Sequence, residues 1–374
     1  MERYDFLVIG AGMAGASAAY WLAERGRVVV LEQEDAAGYH STGRSAAMYM
    51  ETYGGPLTRG LATAGRAFLA DPPSGFADSA LLSPHQVLYI GRADQIEALD
   101  RFYEECRPLV PTLARLSAAE TLSQPVPLRE DYVAGAVLEQ VSEEIDVSAL
   151  HQGYLRGLRA RGGTLMTEAE VTALTRNGDL WHAETPAGAF AAPVVINAAG
   201  AWCDAVAALA GVAPIGLEPK RRTAFIFDGP ANCDVGDWPM VHDIGDDFYL
   251  KPDAGRVLGS PADEAASDPC DAYAEELDIA IGADRIMQAT TLEIRHIRNK
   301  WAGLRSFVAD RMPVAGFDVA AEGFFWLAGQ GGAGIMTAPA LGAITAAIAA
   351  GDPLPEEAAA RGVTAAQLSP GRLL

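Results

Sequence analysis

Residues 4–32 constrain this chain more than any other stretch. YDFLVIG is an uninterrupted apolar run closed by Gly10, GMAGASAAYWLAERG carries a helical pattern as far as Gly26, and RVVVLE is a second apolar run. Apolar runs of this length without alternation fit strands buried on both faces, and a helix between two of them makes a parallel β-α-β unit. Gly10-Ala11-Gly12-Met13-Ala14-Gly15 at the first turn is a GxGxxG, and Glu32 closes the second strand 17 residues beyond Gly15. Gly10 permits the tight turn, Gly12 lets a pyrophosphate approach the backbone and the helix N-terminus, and Gly15 lets helix and strand pack closely. Glu32 is placed to accept hydrogen bonds from ribose hydroxyls. A lone GxGxxG says little; one that leaves a strand, opens a helix and is followed by an acid at the end of the next strand specifies a dinucleotide site. The acid disfavours a 2′-phosphate, which sets NADP aside and leaves FAD and NAD open.

The rest of the composition bounds the function classes. A chain of 374 residues has room for a large core and an enclosed pocket. Its formal charge of −21, with no Lys/Arg-rich run, argues against binding to nucleic acid. Cys106, Cys203, Cys233 and Cys270 show no CxxC spacing, so no zinc ribbon or redox dithiol is signalled and no metal site is expected. Phe6 to Leu22 is apolar but lacks a basic leader and contains three glycines, which fits strand–turn–helix better than an export signal or a membrane span. A cytoplasmic protein without a spanning segment is expected.

Two later segments repeat the strand–turn–helix theme. APVVINAAGAWCD places a buried strand at Val194 to Asn197 before a turn at Ala199-Gly200, and GFFWLAGQGGAGIMTAPALG places one at Phe324 to Ala328 before a glycine-rich turn and a small-residue helix. The free N–H groups and positive end of that helix suit an electron-rich carbonyl. TAFIFDGP and FYLKPDAGRVLGS read as short alternating strands with turns, and Ala272 to Thr291 as a helix. Ala343 to Ala350 reads as helix ending at Asp352-Pro353.

GAGMAG with Glu32, the STGRSAA segment, NAAGAW and GQGGAGI together resemble the D-amino-acid-oxidase-type flavoprotein family, which includes glycine and sarcosine oxidases and several amino-acid dehydrogenases. The blocks GYHSTGRSAA, LHQGYLRG, NAAGAWCDA, EPKRRTAFIF, FYLKPDAG, WAGLRSFVAD and EGFFW look closest to the bacterial D-arginine dehydrogenases, broad-specificity D-amino-acid dehydrogenases, and sample nearly the whole chain. The resemblance implies an α/β plus α+β architecture: a Rossmann-like, two-dinucleotide-binding-type FAD domain with an inserted antiparallel-sheet substrate domain. It assigns residues 1–85, 145–215 and 310–374 to the first and 86–144 and 216–309 to the second.

By the same resemblance, Gly10, Gly12, Met13, Ala14 and Gly15 meet the FAD pyrophosphate, and Glu32 with Gln33 the adenosine ribose. Ser41, Thr42, Arg44, Ser45, Ala46 and Ala47 lie along the pyrophosphate and flavin edge, and the Val171 backbone meets the adenine. Ala199, Gly200, Trp202, Gly303 and Arg305 line the flavin approach, and Gln330, Gly331, Gly332, Ala333, Gly334, Ile335, Met336 and Thr337 lie near the pyrimidine end of the ring. No cysteine follows Cys270, so FAD is expected to be held noncovalently.

The substrate is expected to be an amino acid, a small molecule. A planar guanidinium beside a tyrosine hydroxyl suits an α-carboxylate, and Arg222, Tyr249 and Arg305 match the family's substrate clamp, with Tyr53 closing the site. Strand alternation puts Arg221 and Arg222 on opposite faces. The pocket residues implied by resemblance are Met48, Met50, Gln86, Met240, His242, Gly332 and Met336. Where arginine-specific relatives have a histidine and a glutamine, this chain has Met48 and Met336; where they have a glutamate gripping the guanidinium, the stretch reads LLSPHQVLYIG, with His85 and Gln86 nearest and Glu51 an alternative source of the charge. Methionine suits an uncharged side chain of variable shape. Oxidative deamination of neutral or apolar D-amino acids is therefore expected, by hydride transfer from Cα to flavin N5. The alternatives are oxidation of an N-methyl or cyclic amino acid or a 2-hydroxy acid, and a flavin-binding subunit of a larger complex. The electron acceptor stays open among a quinone, a dye-type acceptor and oxygen, and the expected state is monomer or homodimer.

Overall fold

The structure is a computed structural model that describes residues 2–231 and 233–374. Phe6–Ile9 and Val28–Leu31 are parallel strands joined through the helix Met13–Leu22. Val194–Asn197 pairs in parallel on the other side of Phe6–Ile9, and Phe324–Ala328 in parallel beyond it. Thr164–Met166 and Val314–Phe317 complete a six-stranded sheet, the latter as an antiparallel edge. The unbroken apolar runs now have their cause. Phe6, Val8, Val28 and Val30 face a core shared with the helices, while Leu7, Ile9, Val29 and Leu31 face a second core. That second core is roofed by the antiparallel strands Ala173–Asn177, Leu180–Thr185 and Gly188–Ala192. Helix Met13–Leu22 lies between Gly334–Ala350 and Val147–Ala160, and Gly342 sits against Ser17 so closely that a Cβ would stand 2.8 Å from its backbone carbon.

A second sheet is built around the long antiparallel pair Glu218–Phe227 and Ile297–Phe307, continued by Arg256–Ser260, Tyr249–Asp253, Met240–Asp243, Val87–Gly91, Gly135–Glu139 and Ala114–Ser117. It departs from the antiparallel expectation at one pairing, Met240–Asp243 with Val87–Gly91, which is parallel. Phe225 and Phe227 turn to the face covered by the helix Glu276–Ala289, and Ala224 and Ile226 to the face that meets Met48, Met50 and Tyr249. That helix is shorter than the span Ala272 to Thr291. Ala272 instead packs with Ala302 and Leu304, and the helix opens after the extended Glu275 with Glu276 and Asp278 in its first turn, where acids complement the helix dipole. Among the described residues, no helix is long and apolar enough to cross a membrane.

Candidate active site

The turn between the first strand and helix is organised by backbone contacts. Gly10 has φ +96°, and a Cβ there would stand 2.6 Å from the Ala198 carbonyl oxygen; at Gly15 a Cβ would stand 1.9 Å from the Gly10 carbonyl oxygen. At Gly12 it would meet only Thr42 Oγ1, at 3.4 Å. Two of the three glycines thus serve close packing, and the third leaves the helix entrance open. The helix has no side-chain cap of its own; Thr42 Oγ1 accepts the Met13 N–H at 2.9 Å. Glu32 is buried and accepts from the N–H groups of Ala11 at 2.7 Å and Glu34 at 3.1 Å, which fixes its carboxylate at the strand end.

From this turn a cavity runs past Glu32, Gln33 and Ala169 to Val171 at one end, along Ser41, Thr42, Ser45 and Ala46, and past Ala199, Gly200 and Trp202. It continues along Gly303 and Gln330 to Gly332, with Gly334 and Ile335, and ends at Arg222, Tyr249 and Arg305. Asn197 braces the second turn, donating to the Cys203 carbonyl at 2.8 Å and accepting from the Ala199 N–H at 3.4 Å. The helix Gly334–Ala350 likewise starts without a side-chain cap, so its N-terminal dipole opens on the cavity.

Several expected cofactor residues lie behind the lining rather than in it. Gly15 is packing, Ala47, Ala333, Met336 and Thr337 are outside the cavity wall, and Thr337 Oγ1 is bonded to the Ala333 carbonyl. Arg44 lines the cavity, but its guanidinium donates to the carbonyls of Ala272 and Ala302 and to Asp271, so its charge is spent tying this segment to the strand Ile297–Phe307.

At the far end two guanidiniums meet. Arg221 turns to the covering helix and pairs with Glu275 and Asp278. Arg222 turns to the cavity, where its Nε donates to the Asp263 carbonyl at 2.8 Å. Burial, reinforced by the charge of Arg305, pulls Arg222 below the usual arginine range. Burial also disfavours the charge of Arg305, but Tyr53, Tyr249 and the acids Asp246 and Glu264 outweigh it and leave Arg305 raised. Tyr53 is not in the cavity wall itself; its hydroxyl stands over Gly332, where a Cβ would lie 2.2 Å from Tyr53 Oη and 3.0 Å from Arg305 Nη1. Buried Arg222 and half-buried Arg305 repel each other beside two phenols, and Glu264, 3.6 Å from Arg222 but shared with Arg311, offsets them only in part, so a further anion relieves the arrangement.

The acids around this end are already engaged. Asp263 holds the Thr223 N–H and hydroxyl, Glu264 pairs with Arg311 at 2.8 Å and with Arg222 itself at 3.6 Å, and exposed Asp246 faces His242 Nε2 at 3.2 Å. Glu51 turns away to accept from the Tyr49 hydroxyl at 2.7 Å. Gln86 is exposed, and its backbone oxygen accepts the Met240 N–H, so its side chain is not part of the cavity. Met48, Met50 and Met240 are buried together with Tyr89 and Tyr249 behind the cavity wall, and the His242 ring lies parallel to Tyr249 at 5.9 Å. Among the described residues, no group of three or more His, Cys, Asp or Glu side chains is placed to hold a metal.

Three residues went unread in the sequence. His151 Nε2 lies 2.8 Å from the Ala11 carbonyl, bracing the glycine turn from behind, and burial keeps its imidazole below the usual range. Glu139 and Thr52 form a buried pair beside the Tyr53 turn. Each partner is about 90 or more positions away along the chain, and no local pattern marks such a contact.

A family model described as FAD dependent oxidoreductase matches residues 5–348. An oxidoreductase from Bacillus subtilis (strain 168), YurR, is 26% identical over 93% of this chain and 95% of its own length. The structure is similar to glycine oxidase from Geobacillus kaustophilus, with a TM-score of 0.81, 22% identity and coverage of 94% and 96% of the two chains. It is also similar to L-proline dehydrogenase from P. horikoshii, with a TM-score of 0.83, 20% identity and coverage of 99% and 98%. The cavity fits the cofactor this family uses: the open space at Gly12 suits a pyrophosphate, and Gln330 Nε2, buried in the wall with no partner among the described residues, is a donor waiting for an acceptor.

Proposed function

Because the chain belongs to the FAD dependent oxidoreductase family and its cofactor is FAD, we propose that it oxidises neutral or apolar D-amino acids to imino acids. The observation that carries this is the convergence of Arg222, Arg305, Tyr53 and Tyr249 at one end of the cavity while every nearby acid is already engaged. When bound, FAD supplies the hydride acceptor. Gly12, Glu32 and the two uncapped helix starts would hold its pyrophosphate, ribose and ring. Arg222 and Arg305 hold the α-carboxylate, and the tyrosine hydroxyls orient it so that Cα–H faces the ring. The substrate loses a hydride from Cα and a proton from the amine, and water hydrolyses the imino acid to a 2-keto acid and ammonia. A cationic side chain would enter a region already holding two guanidiniums and no free carboxylate, and a buried charge left unpaired costs about 3–5 kcal/mol. Met48, Met50 and Met240 instead offer an adaptable apolar surface just behind the wall.

The test is anaerobic mixing of the FAD-loaded protein with a panel of D- and L-amino acids while flavin absorbance is followed. D-methionine, D-leucine and D-phenylalanine should bleach the flavin faster than D-arginine; a panel in which no D-amino acid bleaches it would sink the proposal. A second possibility is favoured by the similarity to proteins named for glycine and L-proline. Bleaching by glycine, sarcosine, proline or 2-hydroxyglutarate alone would select it.

A further inference from the structure

We propose that Glu139 is a positioning residue of the substrate site: through Thr52 it fixes the turn Met50–Gly54 and so sets where the Tyr53 hydroxyl stands beside Arg305. This rests on the carboxylate-site function proposed above. Glu139 ends the strand Gly135–Glu139 opposite Val87 and is 0% exposed. Its carboxylate is spent on the turn. Oε1 accepts the Glu51 N–H at 3.1 Å and Oε2 accepts the Thr52 hydroxyl at 2.5 Å. Thr52 is also gripped at its other polar atoms: its hydroxyl lies 2.9 Å from Tyr89 Oη, and its carbonyl accepts from Arg59 Nε at 3.0 Å. The Tyr53 N–H closes the turn on the Met50 carbonyl at 3.3 Å, which sends the Tyr53 ring toward Gly332 and Arg305. A turn whose central residue is held from three elements carries the next side chain to a single place.

The charged and titratable neighbours of this carboxylate are Glu51 on the turn itself, Tyr89 on the strand Val87–Gly91 and Cys106 at the end of the helix Ile96–Cys106; Arg59 on the helix Pro56–Ala70 and Glu105 act on Cys106 beside it. Arg59 lies 3.9 Å from Glu105, and among the described residues Glu139 itself forms no ion pair. Burial, added to by the charge of Glu51 and opposed by the hydrogen bonds from Thr52 and Glu51, pushes Glu139 up to about 7. The ionised form is the stronger acceptor for both turn donors, whereas the protonated form turns its O–H to Thr52 and leaves a weaker acceptor for Glu51 N–H. The turn is thus held more firmly above neutrality than below it.

The experiment uses the FAD-loaded protein, its Glu139→Gln and Thr52→Val variants, and anthranilate as a carboxylate probe titrated by flavin absorbance between pH 6 and 9, with FAD content and Tm as checks on folding. Wild-type affinity should strengthen as pH rises through about 7. Glu139→Gln should bind about five- to tenfold more weakly above that point and lose the inflection, Thr52→Val should weaken binding to a similar extent, and hydrogen exchange of residues 50–54 should quicken in both. Unchanged affinity, unchanged exchange, or a loss confined to cationic ligands would overturn the inference. A wild type that binds no anthranilate would overturn the carboxylate site itself, a different result from binding that is indifferent to Glu139.

Discussion

Gly12→Ala separates the cofactor site from the fold. Gly12 has φ −69° and ψ −176°, extended backbone that alanine adopts freely, and the added methyl meets only Thr42 Oγ1 at 3.4 Å. The cofactor-free protein should therefore keep its stability to within about 0.5 kcal/mol. The same methyl occupies space on the cavity wall where a pyrophosphate must approach the helix start. Inserting a methyl into a filled contact costs about 1–3 kcal/mol, so FAD should bind roughly 5- to 150-fold more weakly. Gly15→Ala is the contrast, because its Cβ would stand 1.9 Å from the Gly10 carbonyl oxygen and the backbone itself must move. That variant should lose Tm even without FAD. Titration of cofactor-free protein with FAD, followed by flavin fluorescence, gives the affinities, and calorimetry gives Tm. A Gly12→Ala protein that binds FAD as tightly as wild type would refute the assignment of this turn to the pyrophosphate.

Arg222→Met should lower kcat/KM for a neutral D-amino acid by about 2–4 kcal/mol, roughly 30- to 1,000-fold, with the flavin still bound; steady-state kinetics with an artificial acceptor checks this. His151→Ala leaves the Ala11 carbonyl without its donor and should cost about 1–3 kcal/mol of stability, read as a drop in Tm. None of the four cysteines lies in the cavity wall, so precipitation with acid should release all FAD into the supernatant, whereas yellow pellets would mean a covalent link. Glu139 is raised from 4.5 to about 7, so the native state binds the extra proton between those values and stability falls as pH rises across that window, by on the order of a few kcal/mol. Tm measured from pH 4.5 to 7 should decline less steeply in Glu139→Gln than in wild type.

What was legible in the sequence follows range of interaction. The strands Val194–Asn197 and Phe324–Ala328 are legible in the sequence because each is an apolar run closed by a turn, at Ala199-Gly200 in the first and a glycine-rich one in the second, so each is marked within a dozen residues. The opposite orientations of Arg221 and Arg222 follow from strand alternation alone, and the pairing of Arg221 with Asp278 bears this out. Resemblance makes Arg44 a cofactor contact, and it lines the cavity; that its guanidinium also reaches the Ala302 carbonyl, more than 250 positions away, is a contact no local pattern marks. The same limit hides His151 and Glu139, whose hydrogen-bond partners lie far along the chain. Gln86 is exposed for a different reason: it precedes the buried strand Val87–Gly91, and one step along a strand turns a side chain to the other face.

The measurement that tests the proposed chemistry most directly is a crystal structure of the FAD-loaded protein with the product of D-methionine oxidation bound. The carboxylate is expected within hydrogen-bond distance of both Arg222 and Arg305, beside the hydroxyls of Tyr53 and Tyr249, with the side chain directed toward Met48 and Met50. A carboxylate placed away from the two arginines, or a side chain reaching to Glu139 or Glu51, would contradict it.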